Sequence, residues 1–179
     1  EDVMQTRVEK ERAAAGAFGV KSADYLDYID GYLIPDLEMR KKIVRAIRKY
    51  QPDILVTCDP SNLFPSQHYL NHPDHRNAGQ VVIDAVFPAS GNRFFFPELL
   101  EEGCLPHEVE EVWMSLTNLP DVKLDVTEHW EDKIRALKQH ASQIGDPDSF
   151  EERMTDRLEK DVEGTFKYEE QFRVIKFRR

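Results

Sequence analysis

Cysteine is scarce. The chain has 179 residues and two cysteines, Cys58 and Cys104. They show neither CxxC spacing nor the density of a disulfide scaffold, and a reducing, cytoplasmic compartment fits that usage. Long apolar runs are missing too. None approaches the ~18 residues of a membrane-spanning helix, and no segment reads as a signal peptide. Basic residues are outnumbered: 24 Lys and Arg stand against 34 Asp and Glu, a formal net charge of −10. Nucleic acid and anionic membrane both need a basic footprint, so neither is an expected partner. The run Arg40, Lys41, Lys42, Arg45 lies along one helix, and Arg178 and Arg179 close the chain; both read as solvated surface. There is no GxSxG, no Walker A and no GxGxxG. The segment "HEVEE" starts like a zincin, but Glu111 stands where the second histidine belongs. "DPDSFEE" lacks the glycine and oxygen ligands of an EF-hand. Cys58 has no adjacent base and reads as a core thiol.

What remains is a globular chain. Hydrophobic residues make up 40% and charged residues 32%, and the length suits one domain over residues 1–179. Residues 3 to 17 read as helix, stopping near Gly16 and Gly19. Asp30-Gly31 marks a turn. Pro35-Asp36 opens a second helix, with Leu37, Ile43, Val44 and Ile47 at helical spacing, which ends before Gln51-Pro52. "DILVT" is short, continuous and β-branched, as in a strand buried on both faces of a parallel sheet. A long loop follows, then a helix. "VEEVWMSLT" and "DVKLDV" read as strands, residues 126 to 141 as a helix with Val126, Trp130, Ile134, Leu137 and Ala141 on one stripe, and "FRVIKF" as an edge strand. Strands alternate with helices, so the class is α/β. The sheet is expected to be mainly parallel, with residues 53 to 57 as an interior strand.

The stretch "YLNHPDHRNAGQVV", residues 69 to 82, concentrates the chemistry. Pro73 suits the first helical position, where a missing N–H costs nothing. Asp74 complements the positive helix end. Ala78, Val81, Val82, Ala85 and Val86 form an inward stripe, and its phase carries His75 toward the protein body, with His72 on the same side. Asp74 stands between them as an orienting partner for a ring nitrogen. The bland alternative is a capping His72 and a satisfied, half-buried His75. Histidine is the commonest metal ligand, and a catalytic zinc usually takes three protein ligands plus water. His68 is a third candidate by spacing alone.

Four segments in order resemble the LmbE-like (PIG-L) zinc-dependent N-acetylglucosaminyl deacetylases. "HPDH" opening a helix after "PDILVTCDP" is similar to their C-terminal metal motif. "TRVEKERAAAGAFGV" is similar to their arginine-bearing helix, "YLDYIDGYL" to their aspartate-glycine segment, and "KIRALKQHASQ" to a Lys-x-x-Ala-Leu-x-x-His-x-Ser-Gln signature. The resemblance implies a Rossmann-like three-layer α/β domain and a metal-dependent hydrolase acting on an N-acylated sugar. It implies a zinc ligand at His75; iron(II) suits the same centre. It implies that His72 stabilises charge at the reacting carbonyl and protonates the leaving amine, that Asp74 orients His72, and that Arg7 and Asp30 bind the sugar. His140 receives no definite role.

The sequence departs from the family in two places. The N-terminal His-Pro-Asp-Asp motif, which supplies the other zinc ligands and the general base, is absent with its strand. The expectation is that an N-terminal piece is missing from this chain, and that its missing leading strand leaves one position beside residues 53 to 57 empty. Leu70 stands where some members have a tyrosine, and Tyr69 is one residue further back. The competing readings are a non-catalytic sugar- or partner-binding domain and a deacylase of a non-sugar amide. Homo-oligomerisation is left open.

Overall fold

The computed structural model describes residues 3–140, 144–155, 159–160 and 166–177. These residues form two compact units, one of Glu1–Leu26 with Leu124–Glu170 and one of Asp27–Lys123 with Gln171–Arg179. No helix among the described residues is long and apolar enough to cross a membrane.

The second unit is built on helices over a sheet. Its first helix, α2 (Leu37–Tyr50), starts where local chemistry places it. Asp36 caps it by accepting the Met39 N–H at 2.8 Å. Gln51 closes it in the left-handed region at φ 49°, donating its N–H to the Ile47 carbonyl. Met39, Val44, Ile47 and Arg48 are buried along one face. Leu37, on the expected stripe, is exposed, because the first turn extends past the core.

Strand β1 (Ile54–Cys58) runs parallel to β2 (Glu111–Ser115), and β6 (Glu169–Lys176) runs antiparallel to β2. The strand order is β1-β2-β6-β3, with β3 at Val122–Asp125. The α/β class stands, but the sheet is mixed rather than mainly parallel. The position beside β1 is unfilled among the described residues, as expected, whereas β6 is interior where an edge was expected. β1 is an edge strand, with Ile54 52% and Val56 61% exposed. β6, which holds "FRVIKF", lies inside the sheet, and Phe172 and Val174 are buried on one of its faces. The apolar run of β1 suggested two covered faces. Among the described residues only the face of Leu55 and Thr57 meets helices. In β6 the polar residues alternate with the apolar side chains that pack.

Helix α3 (Pro73–Asp84) continues into a π-helical segment, Ala85–Ser90, broken at Phe87. A short helix α4 (Glu98–Glu101) follows. Val44, Ile47, Ala85, Val86, Ala89, Leu99, Val109, Val112 and Met114 make the core. Inside it sits Arg48, 2% exposed. Its guanidinium donates to the carbonyls of Ala89, Ser90, Asn92 and Phe95 at 2.9 to 3.1 Å. The carbonyls of Ala89, Asn92 and Ser90 also accept the N–H groups of Asn92, Phe95 and His107, and the buried cation takes up their remaining acceptor capacity together with the Phe95 carbonyl.

In the first unit, α1 (Val3–Ala17) packs with α5 (Trp130–Lys138), which begins in a 3-10 turn at Thr127–His129. Ile134 and Ala136 are buried, Trp130 stacks at 4.3 Å on Tyr168, and Ala141 lies outside the described residues. Lys133 donates to Tyr168 Oη at 2.6 Å and to Glu170 Oε1 at 2.5 Å. Burial opposes its charge, but these partners outweigh it and raise its pKa. Helix α6 (Pro147–Thr155) and the two-stranded pair β4 (Glu159–Lys160) and β5 (Phe166–Lys167) complete this unit.

Candidate active site

The site begins where α3 begins. Pro73 takes the first helical position, and His72 is the N-cap. His72 Nδ1 accepts the Asp74 backbone N–H at 3.2 Å. The capping role is therefore real, and it leaves Nε2 as the nitrogen turned away from the helix. In the neutral ring the accepting Nδ1 is bare, so the proton sits on Nε2. The His75 ring lies 5.6 Å from that of His72, centroid to centroid, tilted by 50°. The two imidazoles converge as the sequence implied.

His75 does not point into the body, however; it is exposed. The reason is the seat of the helix. Gly79 lies against the carbonyl of Cys58, the last residue of β1. The turn before Gly79, with His75 on it, thus projects past the strand end. The inward stripe stops at Ala78. His75 keeps both ring nitrogens free of hydrogen bonds among the described residues, whereas His72 has committed one.

Asp74 reaches in a direction the sequence did not reveal. Its carboxylate accepts the Gly31 N–H at 2.6 Å and the Leu33 N–H at 3.3 Å. Among the described residues the Asp74 carboxylate makes no hydrogen bond to a His72 ring nitrogen; the Asp74 backbone N–H does. The turn it holds spans Ile29–Tyr32, closed by the Tyr32 N–H on the Ile29 carbonyl at 3.1 Å. Gly31 has φ +84°, a value suited to glycine in the third position of a type II turn. Asp30 is thereby brought to the helix mouth. One donor atom each of Asp30, His72 and Asp74 lies within 4.8 Å of the others. That set, one imidazole and two carboxylates with a second imidazole adjacent, has the donor chemistry of a divalent transition-metal centre. Arg7 lies in α1, but its side chain falls outside the described residues. His68 is exposed and not in the group. His140 is half-buried in the first unit.

The family model of PIG-L, described as GlcNAc-PI de-N-acetylase, matches residues 1–86. The diacetylchitobiose deacetylase of Thermococcus kodakarensis is 38% identical over 138 residues. The N-terminal part of the chain matches the PIG-L family model. The match to the Thermococcus kodakarensis enzyme covers 77% of this chain and 49% of the relative, so the chain spans about half the relative's length. Among solved structures, the N,N'-diacetylchitobiose deacetylase from Pyrococcus horikoshii, complexed with an inhibitor, superposes with a TM-score of 0.81 at 28% identity. It covers 96% of this chain and 64% of that one. A conserved protein from Thermus thermophilus gives 0.72 at 21% identity, covering 96% and 74%, and shows the shared fold alone.

How the chain delivers His72 rests on residues whose role no sequence motif announced. The loop from β1 to α3 is pinned by buried polar groups. Asp59, 3% exposed, accepts the Ser61 N–H at 2.9 Å and the Ser61 and Thr117 hydroxyls at 2.6 Å. Asn62 donates to the Leu116 carbonyl at 2.6 Å, and Asn71 donates to the Asn62 carbonyl at 2.9 Å. Asn71 directly precedes His72. The available signal was a run of short polar residues at a strand end, which forms side-chain-to-backbone turns. Burial alone pushes the Asp59 carboxyl up. The hydrogen bonds from Ser61 and Thr117 and the charge of Arg173 outweigh it, and the pKa ends below the ordinary range. A carboxyl depressed by folding contributes stability above its unfolded value of about 4. That contribution is lost as pH falls through the folded value. Denaturant midpoints measured from about pH 6 to about pH 2 should therefore fall more steeply for wild type than for Asp59→Asn. Equal slopes would show that Asp59 is not held ionised by this network.

Proposed function

We propose that this chain serves a metal-dependent hydrolase that removes an N-acetyl group, or a related N-acyl group, from an N-acetylglucosamine-like sugar. One observation carries the reading: Asp30, His72, Asp74 and His75 gather at the mouth of α3 in a chain related to a diacetylchitobiose deacetylase. We take zinc as the ion, with iron(II) as the alternative, and His75 as the residue of this group that holds it. Its exposed imidazole, with both nitrogens free of hydrogen bonds among the described residues, supports that choice. When bound, such an ion lowers the pKa of a water to about 7 and polarises the acyl oxygen.

This chain's own side chains take a defined share of the remaining work; the base that takes the water's proton is not among them. His72, fixed through Nδ1 to the helix start, offers Nε2 to the reacting carbonyl. Carrying a proton there, it stabilises the oxyanion that develops, a contribution often of about 3 kcal/mol. Asp74 keeps the helix mouth and the Asp30 turn together. Asp30 accepts hydrogen bonds from sugar hydroxyls, with Arg7 assigned to the same task from the family pattern. The two unpaired cysteines support a cytoplasmic setting.

The test uses the natural full-length protein. Loaded with Zn2+ or Fe2+ and given N,N'-diacetylchitobiose or N-acetylglucosamine, it should release acetate and expose a free amine. A chelator should stop the reaction, and added metal should restore it. Sugar binding without acetate release under either metal would favour the non-catalytic reading.

A further inference from the structure

Asn77 has no part in the chemistry above, yet its side chain reaches the site. It donates its amide to the Leu33 carbonyl at 2.8 Å. Asp74, three residues earlier and so on the same helix face, accepts the Leu33 N–H at 3.3 Å and the Gly31 N–H at 2.6 Å. Both backbone groups of Leu33 are therefore held by side chains of α3. Hydrophobic burial does little for this segment. Ile29, Tyr32 and Ile34 are 63%, 77% and 66% exposed. Upstream, the Lys42 ammonium lies 4.6 Å from the Tyr28 ring centroid, and downstream Asp36 caps α2. Between those anchors, the grip of α3 sets where the turn sits, and Asp30 rides on that turn.

We propose that Asn77, acting with Asp74, is a positioning residue for substrate binding: it clamps Gly31–Leu33 onto α3 and so sets Asp30 beside His72. The inference rests on the reading of Asp30 as a sugar contact. Removing the amide donor should loosen the turn while leaving His72 and His75 in place.

Two variants of the full-length protein test it, Asn77→Ala and Asn77→Asp. The second keeps the size, removes the donor, and sets a carboxylate against the Leu33 carbonyl and near Asp74. Hydrogen–deuterium exchange should quicken in the peptide covering residues 27–34 in both, more in Asn77→Asp, and stay unchanged in residues 54–58. KM for N,N'-diacetylchitobiose should rise about fivefold to tenfold, the size of one lost hydrogen bond, while kcat and metal content hold within about twofold. If wild type does not hydrolyse the sugar, its Kd by titration calorimetry replaces KM. Unchanged exchange in residues 27–34 overturns the clamp whatever the activity. Faster exchange with unchanged KM or Kd overturns the positioning role. A wild type that neither cleaves nor binds the sugar fails the functional reading itself, and the positioning role falls with it.

Discussion

Replacing His75 by alanine should empty the metal site, whereas His72→Ala should keep the ion and lose rate. The two rings are neighbours, 5.6 Å apart, so proximity does not separate their roles. Their hydrogen bonding does. His72 has one nitrogen committed to the helix N-terminus, which fixes the direction of the other. A fixed donor suits a charge that develops at one place, and removing such a donor typically costs about 10² to 10³ in rate. His75 stands exposed, with both nitrogens free of hydrogen bonds among the described residues, which suits a metal ligand. Elemental analysis beside turnover decides between them. Metal loss in His72→Ala with retention in His75→Ala would reverse the assignment. Metal and activity retained in both would reduce the motif to a helix cap. Asp74→Asn belongs to the same series with a different signature. The amide keeps one acceptor oxygen but turns an NH2 toward Gly31 N–H or Leu33 N–H. It should raise KM along with any loss in kcat, because the Asp30 turn is held by the same carboxylate.

Gly79→Ala should destabilise the protein by about 2 kcal/mol and lower turnover as well. Helix propensity alone argues the other way, since alanine exceeds glycine by about 1 kcal/mol inside a helix. Contact decides the sign. A Cβ at residue 79 would stand 2.2 Å from the Cys58 oxygen, 3.1 Å from its carbonyl carbon and 3.2 Å from Pro60 Cδ. The strand cannot yield easily, because Cys58 is paired with Ser115 and the Asp59 N–H donates to the Ser115 carbonyl at 2.8 Å. Overpacking against such a neighbour costs about 3 kcal/mol. Relief comes by shifting α3, which carries His72, Asp74 and His75 with it. A displacement of roughly 1 Å at reacting groups can cost about 10² in rate. Urea denaturation and turnover of Gly79→Ala, measured together, check this. A gain in stability would mean that the helix does not sit as tightly on β1 as the contact requires.

Local chemistry was legible before any fold was known. The start of α2 at Asp36, its end before Pro52 and the entry to α3 at Pro73 follow from groups within a few residues of one another. So does the Asp30-Gly31 turn, which needs only a residue that accepts positive φ. The α/β class came from alternating periodicities, and the candidate site came from a family pattern lying mostly in one stretch of chain. Four things were decided only by tertiary structure: β6 inside the sheet, His75 exposed, Asp74 bonded to the Asp30 turn, and the burial of Asp59, Asn62 and Asn71. Strand order depends on pairings between distant segments, and an apolar run does not say which flank is filled. The burial of a helical residue depends on what lies beyond it, and α3 overruns the strand on which Gly79 is seated. A carboxylate in a first turn can serve its own helix or another segment, and no local period tells which. Gly31, 43 residues before Asp74, supplies the N–H that settles it.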